Sequence, residues 1–398
     1  MCSVGDSVIT LVEIFDPKQY ENIISPIMIK GISKVIYIGS KEIMTKSKTD
    51  SLKQFYKNRK FNAAVEFLYV ERDNSTSIKN RLKMIIKQNE NCVFDATGGE
   101  DVILANVGII AERYCVPVIR INTSDATFVC VHGKFEAVMR DNYELSVSDF
   151  VTLQGGEIVH HNSVSHFTDS LAGDINSVFK INSHDCEAFS AFCNVISEYI
   201  SHDKKTLTID IEDYQNKVSK SRWDIDKIKE LFISQNLLCE IEKSSNYVSY
   251  KIKSSAISDC LNKSGNALEY YTALTLSGLK EAFRDIMVGV SMDWGGGRTQ
   301  YDTRNEVDVM AITGNFPVFI SCKNGEVRKD ALYELDTVSR RLGGSYAKKV
   351  MVCTHISKNK SARAHFIKRA RDMGITLIFD VHKKSPNEFK HYLSAITR

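Results

Sequence analysis

From Ser7 to Asn122 the chain repeats one pattern, a short apolar run followed by a helical stretch, and this alternation constrains the fold more than any other feature. The apolar runs are 7–15, 34–39, 64–70, 92–96 and 116–122, and helical spacing fills the intervals, as with Ile78, Leu82, Ile85 and Ile86. Short strands separated by crossover helices assemble into a parallel sheet with helices on its faces. Such a sheet collects ligands at the carboxyl ends of its strands. Three of those ends carry turn or glycine residues: Asp16, Gly39-Ser40 and Thr97-Gly98-Gly99. The last lies at a helix start, where two glycines would expose backbone N–H groups suited to phosphate. The same tripeptide also makes a tight strand–helix turn with no ligand. The GxGxxG spacing and the ribose-binding acid of a nicotinamide dehydrogenase are absent.

Beyond Asn122 the alternation stops. Residues 126–155 read as hairpin-like strands (FVCVHGKFEAVM) and a short helix, ending a first domain at 155. Residues 156–184 are polar, and His160, His161 and His166 read as loop histidines and not as a metal cluster. A helix over 185–202, an amphipathic helix over 224–236 and a hairpin from 237–241 and 247–252 suggest a winged-helix-like connector over 156–262. Ten cysteines without a CxxC pair, mostly in apolar contexts, read as reduced buried thiols of a cytoplasmic protein, neither zinc ligands nor disulfides. Asp6, Glu13 and Asp16 interrupt the start, so no signal peptide is read, and no apolar run approaches the ~20 residues a membrane helix needs.

The chemistry concentrates in a last domain, 263–398. The stretch NEVDVMAITGNFPVFISCKNG, 305–325, reads as two strands joined at Gly314-Asn315, with Asp308 in the first and Lys323 ending the second. An acid and a lysine on neighbouring strands suit metal-assisted phosphodiester cleavage, although an ordinary hairpin with one polar residue at each rim reads the same. Glu269 on the preceding helix, Glu306 on the strand face of Asp308, and the open loop Gly295-Gly296-Gly297 favour the first reading. Charge agrees: 323–398 hold 17 Lys and Arg against 7 Asp and Glu, while the other residues are net acidic. A basic end beside an acid–lysine pair fits a nucleic-acid substrate.

The helical Glu269, strand Asp308 and Ser321-Cys322-Lys323 resemble the PD-(D/E)xK nuclease core, with Ser321 where that family has a carboxylate. Together with Arg341-Leu342-Gly343-Gly344, this stretch is similar to the nuclease half of CRISPR-associated CARF nucleases, and Thr97-Gly98-Gly99 resembles the strand-end loop of the CARF domain, a Rossmann fold. The resemblance implies an α/β chain: a Rossmann-like domain over 1–155, the connector, and a restriction-endonuclease-like domain. It implies a homodimer of type III CRISPR defence whose activator, a cyclic oligoadenylate (most often tetra-adenylate, alternatively hexa-adenylate), meets Thr97, Gly98, Gly99, Gly39, Ser40 and Asp16. Mg²⁺ or Mn²⁺ would be held by Asp308, Glu269 or Glu306 and the Cys322 carbonyl, with Lys323 catalytic. Arg298, Arg328 and Lys329 would line a groove for single-stranded or duplex DNA or RNA. Two other functions fit the same residues: a non-catalytic nucleotide-sensing DNA-binding regulator, and a restriction-type endonuclease with an idle N-terminal domain.

Overall fold

The computed structural model describes residues 8–122, 127–140, 143–164, 167–221, 223–294 and 304–397. The chain divides into two compact units, Met1–Glu157 and Ile158–Arg398.

The first unit is built on a six-stranded sheet of β1 (Ile9–Ile14), β2 (Ile32–Ser40), β3 (Ala64–Val70), β4 (Cys92–Asp95), β5 (Val118–Ile121) and β6 (Phe128–His132). Its order is β3-β2-β1-β4-β5-β6. β1 to β5 are parallel and β6 runs antiparallel to β5. Strand β1 is buried at every residue, as expected of a strand covered on both faces. On one face Val12, Ile14, Ile36 and Phe94 pack against Ile78, Leu82, Val107 and Ile110 of the helices Ser75–Gln88 and Asp101–Tyr114. The chain leaves β1 toward β2 on one side and returns as β4 on the other. This reversal opens a crevice at their carboxyl ends.

The hairpin expected over 126–155 is a single strand, β6. The FEAVM half is engaged elsewhere: Lys30 N–H donates to Val138 O and Arg140 N–H to Met28 O, tying it to the end of the first helix, Glu21–Met28.

Beneath the crevice, Glu13 on β1 stands in register with Asp95 on β4, both buried. Burial first, then the neighbouring Asp95 charge, pushes the Glu13 carboxyl far above its usual range. A carboxyl raised in the folded state contributes stability below its unfolded pKa and loses it as pH rises toward the folded value. Glu13→Gln should therefore raise the melting temperature more at pH 8 than at pH 5. Thermal unfolding at the two pH values checks this, and an equal change at both would contradict it.

The second unit has its own six-stranded sheet, made of β7 (Glu157–Ser163), β11 (Arg284–Asp293), β12 (Arg304–Thr313), β13 (Phe316–Glu326), β14 (Lys348–His355) and β15 (Ile375–Ile378). Its order is β15-β14-β13-β12-β11-β7, with β11-β12-β13 antiparallel and β13-β14-β15 parallel. A three-stranded antiparallel sheet joins β8 (Thr206–Asp210), β10 (Tyr247–Ile252) and β9 (Leu238–Lys243) in that order. Helix Gly265–Ser277 lays Leu268, Tyr271 and Leu276 into a core shared with Val309, Val318 and Val350 of the large sheet. That core also takes in Phe179, Phe189, Phe192 and Trp223, so the segment before Gly265 is packed as part of the unit. Phe179 stacks on Tyr271 at 3.9 Å.

The stretch 156–184, expected as polar loop, is instead β7 and a helix, Asp169–His184. The helix is capped by Thr168, whose hydroxyl accepts from Leu171 N–H, and it buries Ile175, Val178, Phe179 and Asn182. Gly173 and several Ser and Asn residues dilute that apolar stripe in the sequence. His160 and His161 lie on β7. His166, Gly295-Gly296-Gly297 and Arg298 fall outside the described residues. The described cysteines are all free of disulfides; most are buried, but Cys115 and Cys239 are exposed, against the expectation of burial. Among the described residues no helix is long and apolar enough to cross a membrane.

Candidate active site

Strands β12 and β13 meet at a tight turn in which Gly314 adopts φ 55°, a conformation glycine enters at no steric cost. From there they pair from Thr313↔Phe316 to Val309↔Ile320, and Asp308 comes next along β12. The Cys322 N–H donates to Asp308 Oδ2 at 2.7 Å. Ser321 Oγ donates to the same oxygen at 3.2 Å and Lys323 Nζ at 3.3 Å. Asp308 and Lys323 thus occupy one side of the sheet. The lysine was expected to end its strand, but β13 continues to Glu326, with a register shift between Lys323 and Glu326 where it pairs with β14.

Glu269, one turn into its helix, is 4% exposed. Burial first, then the charge of Asp308, lifts its carboxyl to about 8; Glu306 adds to the rise, while Lys263 and Lys323 oppose it. Lys263 Nζ lies 3.9 Å from Glu269 Oε1 and 3.7 Å from Glu306 Oε1, bridging the two acids. For Lys323, burial pulls the pKa down, but attraction and hydrogen bonding to Asp308 outweigh it, so the group sits above its ordinary value as an ammonium. Burial pushes the Cys322 thiol well up, and its Sγ bonds Thr272 Oγ1 at 3.7 Å, so this residue can offer a cation only its peptide carbonyl.

Asp308, Glu269 and Lys323 face a cleft of about 260 Å³ with Lys263 and Arg328 on its walls. Glu306 lines the adjoining hollow with Asp308 and Lys323. Lys329 opens the helix Lys329–Gly343 and is exposed, but it does not line the cleft. The donor set is oxygen-rich: Glu269, whose carboxyl is raised by burial first and then by the Asp308 charge, with Asp308 and Glu306 beside it. That fits a hard divalent ion such as Mg²⁺ or Mn²⁺. Glu269→Gln, which removes one anionic donor and keeps the shape, should weaken Mn²⁺ binding about 10- to 100-fold, read by calorimetric titration; unchanged affinity would remove Glu269 from the ligand set.

Two groups here were not legible beforehand. Lys263 precedes Glu269 by six residues and belongs to no motif. Asn324, beside Lys323, donates to Asn182 Oδ1 at 2.9 Å and to Ser190 Oγ at 3.1 Å, and accepts from Asn182 Nδ2 at 3.2 Å, which fastens β13 to the helix Asp169–His184. A partner 142 residues away leaves no local trace.

In the first unit, the residues singled out at the strand ends gather around the crevice. Asp16 Oδ2 accepts from Gly99 N–H at 2.8 Å, and Thr97 Oγ1 accepts from Ile121 N–H at 2.9 Å while donating to Asp95. Ser40 donates to Glu100 through its N–H at 2.9 Å and its hydroxyl at 3.1 Å. Gly39 is packed so closely that a Cβ there would lie 2.9 Å from Phe15 Cβ. The expectation of two spare glycine N–H groups is corrected for Gly99, whose donor is already taken by Asp16.

No curated protein matches the chain in sequence. In structure it is similar to protein VC1899 from Vibrio cholerae, with TM-score 0.75 at 18% identity over 98% of this chain and 97% of that one. It is also similar to Can2 from Sulfobacillus thermosulfidooxidans in complex with cyclic tetra-adenylate, with TM-score 0.64 at 15% identity over the same shares of the two chains. These likenesses establish a shared two-part α/β fold. Residues 261–393, which contain Glu269, Asp308 and Lys323, match the family described as the Card1-like endonuclease domain. The fork between β12 and β13 therefore lies in a nuclease domain similar to the Card1-like endonucleases.

Proposed function

We propose that this chain is a homodimeric, cyclic-oligoadenylate-gated, metal-dependent endonuclease of type III CRISPR defence. The observation that carries the reading is the 3.3 Å approach of Lys323 Nζ to Asp308 Oδ2 at the open end of the β12–β13 ladder, with buried Glu269 across the cleft. Asp308, Glu269 and the Cys322 carbonyl would hold Mg²⁺ or Mn²⁺, with Glu306 at the rim. A divalent ion bound there supplies Lewis acidity and lowers the pKa of water.

The chain's own groups do the rest. Lys323, kept as an ammonium by Asp308, donates to the phosphate oxygen that gains charge as the attacking water oxygen bonds phosphorus. The attacking water gives up a proton to solvent, the P–O bond to the leaving nucleoside breaks, and that oxygen takes up a proton from solvent. Arg328 on the cleft wall, and Lys329 beyond it, would bind the flanking phosphates of DNA or RNA.

The fold shared with Can2, solved with cyclic tetra-adenylate, supports placing the activator against Asp16, Gly39, Ser40 and Thr97-Gly98-Gly99. Gating requires that the activator bind the cutting-competent arrangement more tightly than the idle one. In the test, purified chain with Mn²⁺ is offered single-stranded DNA, duplex DNA and RNA, each with and without cyclic tetra- or hexa-adenylate. Cutting that needs both the ion and an activator is expected. Cutting without activator would defeat the gating, and binding of duplex DNA with no loss of substrate would favour a non-catalytic regulator.

A further inference from the structure

Away from the acidic cleft, the second unit brings together a cysteine and two histidines from distant parts of the chain. Cys186 opens the helix Cys186–Ile196, His355 ends β14, and His382 lies in a short helical turn, Val381–Lys383. One ligating atom from each lies within 4.8 Å of the other two. The imidazole rings of His355 and His382 are 4.4 Å apart, centre to centre. Cys186 is 4% exposed, and the Nδ1 atom of His382 is buried with no hydrogen-bond partner among the described residues. A buried ring nitrogen without a partner costs free energy that a bound ion would offset.

We infer that Cys186, His355 and His382 form a second metal site, for a borderline-soft divalent cation such as Zn²⁺. One thiolate and two imidazoles are donors that Zn²⁺ prefers and that Mg²⁺ does not. A tetrahedral ion bonded at about 2.0–2.3 Å holds its ligand atoms roughly 3.3–3.8 Å apart, so from separations within 4.8 Å the trio needs to close by about 1.5 Å at most. The surroundings fit the assignment. Thr354 Oγ1 lies 3.2 Å from His355 Nδ1. Groups that orient metal-bound imidazoles through a second ring nitrogen are typical of such centres. With three protein ligands, a fourth position is left for water.

The ion would pin a helix before the nuclease region, and a turn near the end of the chain, to the strand beside the catalytic one. Thr354 Oγ1 also accepts from Gly325 N–H at 2.7 Å, two residues past Lys323. The reading of the cysteines as non-ligands is thereby revised for Cys186.

The test uses full-length chain stripped with a chelator and titrated with Co²⁺, a spectroscopic substitute for Zn²⁺. A sulfur-to-cobalt charge-transfer absorption saturating at one ion per chain is expected, together with the visible bands of a tetrahedral site. Cys186→Ser should abolish the charge-transfer absorption, while Asp308→Asn and Cys322→Ser should keep it. His355→Gln and His382→Gln should each weaken Co²⁺ binding at least about tenfold with unchanged circular dichroism, which covers the case in which Cys186→Ser does not fold. Absence of the absorption in the parent chain, its persistence in Cys186→Ser, or full affinity in both histidine variants would overturn the assignment.

Discussion

Asp308→Asn should reduce phosphodiester cleavage on the order of 10³-fold while leaving activator affinity within about twofold of the parent. Asparagine keeps an oxygen in place to accept the Cys322 N–H now held at 2.7 Å, so the fork between the strands survives. The negative charge does not survive, and with it go an oxygen proposed to bind the metal and the counter-charge of Lys323. Alanine at the same position is the harsher change. It leaves the Cys322 N–H without its acceptor and should cost a further ~1–3 kcal/mol of stability. Comparing the two by cleavage rate, activator binding and chemical denaturation separates lost chemistry from lost structure. Near-parental cutting by Asp308→Asn would show that the chemistry lies elsewhere.

The second large effect belongs to Gly99. Its φ of 114° lies where residues with side chains are strained, and a Cβ built there would be 2.0 Å from Ile14 Cγ2 and 2.9 Å from Ile14 O. Ile14 is buried at the end of β1, so it cannot swing aside. Gly99→Ala should destabilise the first unit by about 2–5 kcal/mol, adding backbone strain to overpacking. It should also displace Asp16 from the Gly99 N–H and weaken cyclic oligoadenylate binding at least about tenfold, the equivalent of ~1.4 kcal/mol. Denaturation and equilibrium binding measure the two losses independently. Unchanged stability and unchanged affinity together would mean that the Thr97–Gly99 loop neither packs nor binds as described.

What the sequence disclosed, and what it hid, follows from how far apart the cooperating residues lie. The parallel sheet was readable because strand and helix periods alternate locally, and apolar runs such as 7–15 are long enough to show them. The Asp308–Lys323 pair was readable because one hairpin brings together two residues that are 15 positions apart in the chain. Helix Asp169–His184 was missed because Gly173, Ser170, Ser177 and Asn176 blur its apolar stripe, and tertiary packing of Phe179 on Tyr271 supplies what propensity lacks. FEAVM looked like the second strand of a hairpin because it follows an apolar run and Gly133, but its hydrogen bonds go to residues 28–30. Cys186, His355 and His382 share no spacing at all. Only folding sets them side by side.

The bond from the Cys322 main chain to Asp308 has a consequence for how this domain can diverge. In the proposed reaction position 322 serves through its peptide group, which every amino acid except proline carries in full. Its sulfur answers only to the space beside Thr272. Natural or engineered sequences can therefore exchange this residue for another of similar bulk without touching the chemistry.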